Sequence, residues 1–289
     1  MTVSIENEHF KATFETKGAE LQHVTGVHSG TEFLWSGDQH FWGKFSPVLF
    51  PIIGALKDNS YVYQDKTYQL PRHGFARDLE FEFEQIDEHE ILFTLSHTTE
   101  TLKIYPFEFK LAIRYQISGA TLSCTYEITN PAKTDLLFSI GGHPAFAVPL
   151  NNEGTYTDYY LQFNKDEELS YHHIVDSLVT DQISTIKLDE GKMYLNHELF
   201  YQDALVFKNL RSDCISLMNT KNYNGLDFNF SGFPYFGIWA AKDADFVCLE
   251  PWCGIADGVN HSMQLEEKEG MESLAANQQW KRKWSVTFF

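Results

Sequence analysis

The sequence predicts an all-β fold, a large antiparallel β-sandwich, from three observations. Apolar and polar residues alternate with period two along much of the chain, which puts one set of side chains on each face of a strand. Helical periodicity is scarce. Aromatic residues reach 15%, led by 24 Phe and 14 Tyr, and such side chains favour strands and fill broad sheet cores.

Taken in order, residues 79–84 read Leu-Glu-Phe-Glu-Phe-Glu, an unbroken alternation of apolar and acidic side chains. Residues 91–95 form a short apolar run. Phe107, Phe109, Leu111, Ile113, Tyr115 and Ile117 then keep strict alternation up to Ser118-Gly119-Ala120. Leu122, Cys124, Tyr126 and Ile128 resume it, so two strands around a Gly-centred turn predict a hairpin. Further strands are expected at 204–207, 215–218, 235–240, 246–250 and 286–289. The best helical candidate, residues 263–274, is interrupted by Gly270 and carries no continuous apolar stripe. A βαβ architecture needs alternating helices that are not present. With no linker, repeat or low-complexity tract, the 289 residues are read as one domain, 1–289.

The formal net charge of −18 argues against nucleic acid and anionic membranes as partners. The N-terminus has no basic start followed by an apolar run, and no stretch approaches the roughly 18 apolar residues of a membrane span. Four cysteines, Cys124, Cys214, Cys248 and Cys253, lack a CxxC spacing; Cys124 and Cys248 are expected in the core. A cytoplasmic protein with reduced thiols is the expectation.

The chemistry-bearing segments are few. There is no GxSxG turn, phosphate-binding loop or HExxH helix. His172-His173 has no third ligand at a characteristic spacing, so a solvated loop is expected and no metal site. The segment 71–78 gathers Arg72, His73, Arg77 and Asp78 around Gly74, and reads either as a ligand-facing loop or as a charged turn. In Gly141-Gly142-His143-Pro144 the glycines permit close backbone approach and the proline stiffens the residue before it. His143 is therefore placed for proton transfer or for a structural hydrogen bond. Residues 246–250 form an apolar run ending on Glu250, followed by Pro251 and Trp252. At the rim of a core, desolvation would raise the carboxyl's pKa towards that of a useful base. Trp252 would offer a stacking face to a sugar; the alternative is an exposed Glu beside a core Trp.

In their order, these segments resemble the aldose 1-epimerase (galactose mutarotase-like) family, most closely its LacX-type branch. The matching pieces are Ser46-Pro47-Val48-Leu49-Phe50-Pro51-Ile52-Ile53-Gly54, His73-Gly74-Phe75-Ala76-Arg77-Asp78 and Gly142-His143-Pro144-Ala145-Phe146. Asp203-Ala204-Leu205-Val206-Phe207 and Glu250-Pro251-Trp252-Cys253-Gly254-Ile255-Ala256-Asp257 follow. The resemblance implies a galactose mutarotase-like supersandwich that interconverts hexose anomers without a cofactor. Its partner would be a small-molecule sugar, and the protein a monomer or homodimer. It implies Glu250 as the base at the C1 hydroxyl, His143 as the acid at the ring oxygen, and His73 and Asp203 as sugar-binding residues. Many relatives carry an arginine where this chain has Ala55-Leu56-Lys57, which leaves Lys44, Lys57, Arg72 or Arg77 as its replacement. Arg77 also belongs to a segment shared with hexose-6-phosphate epimerases, the nearest alternative activity. A non-catalytic carbohydrate-binding protein is the alternative of a different class.

Overall fold

Period-two alternation is realised as two large antiparallel sheets. The computed structural model describes residues 1–289, the side chain of residue 152 aside. A nine-stranded sheet runs from Lys192–Tyr194 through Tyr159–Phe163, Cys214–Asn219, Leu226–Asn229, Gln279–Phe288, Thr121–Thr129, Lys110–Ser118 and Glu90–Ser96 to Glu82–Gln85. An eight-stranded sheet runs from Leu178–Lys187 through Glu168–Val175, Leu205–Phe207, Tyr235–Trp239, Phe246–Cys253 and Ile140–Gly142 to Val48–Leu49. Ala145–Ala147 also pairs with Phe246–Cys253. The supersandwich architecture expected from the sequence is therefore present.

Aromatic side chains join the layers. Phe228 of the larger sheet meets Phe236 of the smaller at 6.1 Å between ring centroids, and Phe50 meets Phe109 at 5.0 Å. Burying each such ring contributes roughly 1.5–3 kcal/mol. The N-terminal strands Thr2–Glu6, Phe10–Glu15 and Glu20–Gly26 form their own sheet, from which Phe14 packs on Tyr115 at 4.5 Å.

The predicted hairpin is present, with Cys124 opposite Tyr115 and Tyr126 opposite Ile113. Residues 263–274 form no α-helix; they hold a 3-10 turn at Leu265–Glu267 and a strand at Glu272–Leu274. Three expectations are corrected. The alternating run at 79–84 yields only the strand Glu82–Gln85, because a 3-10 turn at Ala76–Asp78 takes the chain up to Leu79. This strand lies at a sheet edge, and Phe83 stays 40% exposed. His172-His173 lies in the strand Glu168–Val175, at a register shift, rather than in a loop. Lastly, Glu250 lies within the strand Phe246–Cys253, three residues before its end, rather than at its terminus.

The last correction has a topological cause. On one side, Phe246–Cys253 pairs with two short strands in succession, Ala145 opposite Cys248 and Gly141 opposite Trp252. Between them His143 and Pro144 interrupt the neighbour. Pro251, which has no N–H to give, falls opposite Gly142 at the edge of that interruption, where the ladder forms no bridge, so the strand continues through it.

Candidate functional site

Strand alternation gives the smaller sheet two different faces. Phe236 and Leu249 point towards the inter-sheet core, whereas Trp239, Glu250 and Trp252 line a cleft on the opposite face. The cleft has a volume of about 510 Å³, and His73, Arg72, Arg77, His143 and Asp203 also line it. All six site residues expected from the sequence thus meet in one hollow.

The break in the neighbouring strand carries His143 across to Glu250, with Nε2 3.3 Å from Oε2. Both are nearly sealed, at 8% and 2% exposure. Trp42 stacks on the imidazole at 4.9 Å, and Trp239 meets its ring edge-on at 5.6 Å. Neither indole was singled out in the sequence, where both are indistinguishable from core residues. Cys248 lies two residues before Glu250 on the same face. Its sulfur, the His143 imidazole and the Glu250 carboxyl have donor atoms within 4.8 Å of one another.

The His73 segment is stitched to residues 50–54. The backbone N–H of Phe75 donates to the carbonyl of Phe50, and that of His73 to the carbonyl of Gly54. A side chain at Gly74, whose φ is +71°, would strike the Phe50 carbonyl oxygen at 2.2 Å, so glycine is required there. The Gly54 N–H donates to His73 Nδ1 at 3.1 Å, which leaves the proton of the neutral ring on Nε2.

Trp252 is seated by its neighbours' lack of side chains. A Cβ on Gly141 would meet its indole at 2.7 Å, and one on Gly237 at 2.5 Å. At the mouth, Asp203 holds a φ of +134°, unusual for a non-glycine residue, and its carboxylate accepts from the Ala204 N–H at 2.7 Å. Arg72 reaches within 4.0 Å of Asp203. Arg77 is turned to support: it donates to the Arg72 carbonyl at 2.9 Å and lies 3.7 Å from Asp78. Lys44 is also paired with Asp78, and Lys57 reaches the His261 carbonyl at 3.4 Å; neither lines the cleft. Of the four candidates for the replaced arginine, Arg72 is the exposed one over the site.

Burial dominates the electrostatics. It pushes the Glu250 carboxyl well above its ordinary range; Arg72 opposes this, the Asp203 charge adds to it, and the nearby Trp252 indole opposes it weakly. Burial drives His143 down to about 3, helped by the positive charges of Arg72 and Arg77. His73 is lowered by burial, then by His143 and the two arginines. Among the described residues, the buried side-chain polar atoms without a partner belong to Arg77, His143, Glu250, Trp252 and Arg282. All but Arg282 line the cleft.

Such a floor sets a carboxyl against an imidazole between indoles, on one face of a galactose mutarotase-like sandwich. The aldose 1-epimerase family profile matches residues 1–286. Protein LacX (chromosomal) of Lactococcus lactis subsp. lactis is 30% identical over 297 aligned positions, covering 99% of each chain. A galactose mutarotase related enzyme from Lactobacillus acidophilus superposes with a TM-score of 0.95 at 33% identity, covering 100% of this chain and 97% of that one. A galactose mutarotase-like protein from Lactobacillus casei gives a TM-score of 0.91 at 29% identity, with 100% of both chains covered. The chain belongs to the aldose 1-epimerase family, of the sugar epimerase or mutarotase kind.

Proposed function

We propose that the chain interconverts the α and β anomers of a free hexose, such as galactose or glucose, by acid–base ring opening and reclosure. The observation that carries this reading is the concentration of unpartnered, buried polar atoms on the cleft floor, centred on His143 and Glu250. Each such atom costs about 1–3 kcal/mol unless a ligand satisfies it. A protein that only binds sugar gains nothing from burying an acid and a base 3.3 Å apart.

The reaction needs this convergence, because the oxygen that loses a proton and the one that gains it share the anomeric carbon. Glu250 takes the O1 proton, the C1–O1 bond becomes a carbonyl, and the C1–O5 bond breaks as O5 receives a proton from His143. Rotation about C1–C2 presents the other carbonyl face, and the transfers then run in reverse. Burial favours the neutral pair, with the Glu250 carboxyl protonated and the His143 imidazole uncharged. That is the state opening produces and closure consumes. An entering O1 hydroxyl that donates to Glu250 Oε2 favours the carboxylate and moves the resident proton to His143. There the imidazolium faces the Trp42 ring, a favourable cation–π contact. His73 and Asp203 hold the sugar's hydroxyls, Arg72 supplies the cation at the mouth, and Trp252 offers a stacking face.

A 6-phosphate substrate is disfavoured by the pairing of Lys44 and Arg77 with Asp78, which leaves Arg72 without a second free cation in the cleft. Polarimetry of freshly dissolved α-D-galactose and α-D-glucose tests the proposal, with the 6-phosphates as comparison. Relaxation faster than the spontaneous rate for a free hexose is expected. No acceleration for either, or a preference for the phosphorylated sugar, would contradict it.

A further inference from the structure

The thiol of Cys248 is a third donor beside the acid–base pair, and the proposed reaction leaves it unused. It sits two residues before Glu250 on the strand Phe246–Cys253, so period two points both side chains to one face. Cys248 is fully buried and does not line the cleft, whereas His143 and Glu250 do. One donor atom from each of the three residues lies within 4.8 Å of the other two, and His143 Nε2 stands 3.3 Å from Glu250 Oε2. Donors around a tetrahedral zinc ion, at bond lengths of about 2.0–2.3 Å, are roughly 3.3–3.5 Å apart. The imidazole and carboxyl therefore have that spacing, and the sulfur has to move by on the order of 1 Å to complete it.

We propose that His143, Cys248 and Glu250 form a binding site for Zn²⁺, and that the bound ion switches the acid–base pair off. Mixed nitrogen, sulfur and oxygen donors suit Zn²⁺ and its spectroscopic stand-in Co²⁺; Mg²⁺ and Ca²⁺ take oxygen donors and should not compete. A second observation points to a ligand at the same place. Glu250 Oε2 is a buried atom without a hydrogen-bond partner, on a residue only 2% exposed. The charges also balance. As thiolate and carboxylate, Cys248 and Glu250 bring two negative charges, and with the neutral imidazole they make an uncharged centre around Zn²⁺, their protons passing to solvent. A buried setting tolerates such a centre far better than a bare charge. The indoles of Trp42 and Trp239 against the His143 ring keep water from that side, and the cleft supplies the way in and an open fourth position for water. The site itself is independent of the epimerase reading. Inhibition rests on that reading, because the ion occupies the lone pairs that would exchange the O1 and O5 protons.

The test reads binding and turnover separately. Titration of the unmodified protein with Co²⁺ should give a thiolate-to-cobalt charge-transfer band in the near ultraviolet, which Zn²⁺ then abolishes by displacement. Cys248→Ala and, as a second variant, Cys248→Val, each checked for native circular dichroism, should lose the band. They should also bind Zn²⁺ about 100-fold more weakly, roughly the share of one ligand in a four-ligand site. His143→Asn should weaken Zn²⁺ by a similar factor, which keeps the test decisive if neither Cys248 variant folds. Cys214→Ser, at a half-buried thiol that does not line the cleft, should change neither reading. In polarimetry of α-D-galactose, corrected for the rate with Zn²⁺ alone, Zn²⁺ should slow the unmodified protein and EDTA should restore it. The Cys248 variants should keep the metal-free rate and resist the same Zn²⁺ concentration. Absence of the band, a band that survives both Cys248 substitutions, or equal inhibition by Mg²⁺ overturns the site. If the band depends on Cys248 but the metal-free protein turns over no hexose, the site stands and the epimerase reading fails. If hexoses turn over and saturating Zn²⁺ leaves the rate unchanged, the epimerase reading stands and the switch fails.

Discussion

The carboxyl of Glu250 and the imidazole of His143 titrate as a pair, so activity should follow the number of protons on the pair rather than either group's ordinary pKa. Burial lowers His143 to about 3 from 6.5 and raises Glu250 well above 4.5, so the second proton reaches the pair only far below neutrality. The expected kcat/KM profile has no inflection near the ordinary histidine value of 6.5. It falls in acid only as a second proton arrives near the depressed histidine value, and in base as the last proton leaves the raised carboxyl. An inflection near 6.5 in polarimetric rates would show an ordinary, solvated histidine and contradict the pairing. At this scale the sequence was informative in proportion to local rigidity. His143, Glu250 and His73 stood beside Gly or Pro and could be picked out, whereas Trp42 and Trp239 carried no local signature, because stacking on His143 is a product of tertiary structure. Arg77 was legible as a cation of a charged turn with an Arg–Asp pair, but its bond to the Arg72 carbonyl was not.

The strand Phe246–Cys253 is the element on which the site depends. Its period-two order puts Glu250 and Trp252 on the cleft face, and its two neighbours leave room for the indole with Gly141 and Gly237. Gly237→Val should push Trp252 from its seat, since the added Cβ alone would lie 2.5 Å from the ring. We expect the fold to survive, as judged by circular dichroism, with KM for the hexose raised about 10-fold through a lost stacking contact of roughly 1–1.5 kcal/mol. Unchanged KM would show that Trp252 does not touch the sugar. The period-two pattern revealed this strand but misplaced its end, because a proline ordinarily terminates a central strand. What rescued it, the interruption of the neighbour at His143, is a pairing between residues about a hundred positions apart and invisible to local pattern. The converse error occurred at 79–84, where perfect alternation lost to a 3-10 turn and an edge position.

For the whole molecule, the buried site should make stability depend on pH in opposite directions. His73 and His143 have folded pKa values below the ordinary 6.5, so the stability they contribute is present above 6.5 and is lost as pH falls towards their folded values. Glu250 is raised, so its contribution is present below 4.5 and is lost as pH rises through its folded value. Urea midpoints measured from pH 6.5 downward should fall less steeply for His143→Asn than for the unmodified protein, by about 1 kcal/mol or more over the full window. Parallel curves would indicate that His143 is not desolvated. The overall architecture was the most legible level of all, since alternation and aromatic content are distributed signals that survive local errors.

In the proposed reaction one carboxyl and one imidazole, brought together across a broken strand, open and close the sugar ring. It is tested most directly by polarimetry of α-D-galactose or α-D-glucose with the unmodified protein beside Glu250→Gln and His143→Asn, each checked for native circular dichroism. Loss of turnover by about 100-fold or more in each folded variant is predicted, the usual scale for removing a general acid or base. Turnover close to that of the unmodified protein in either variant would contradict the role assigned to that residue.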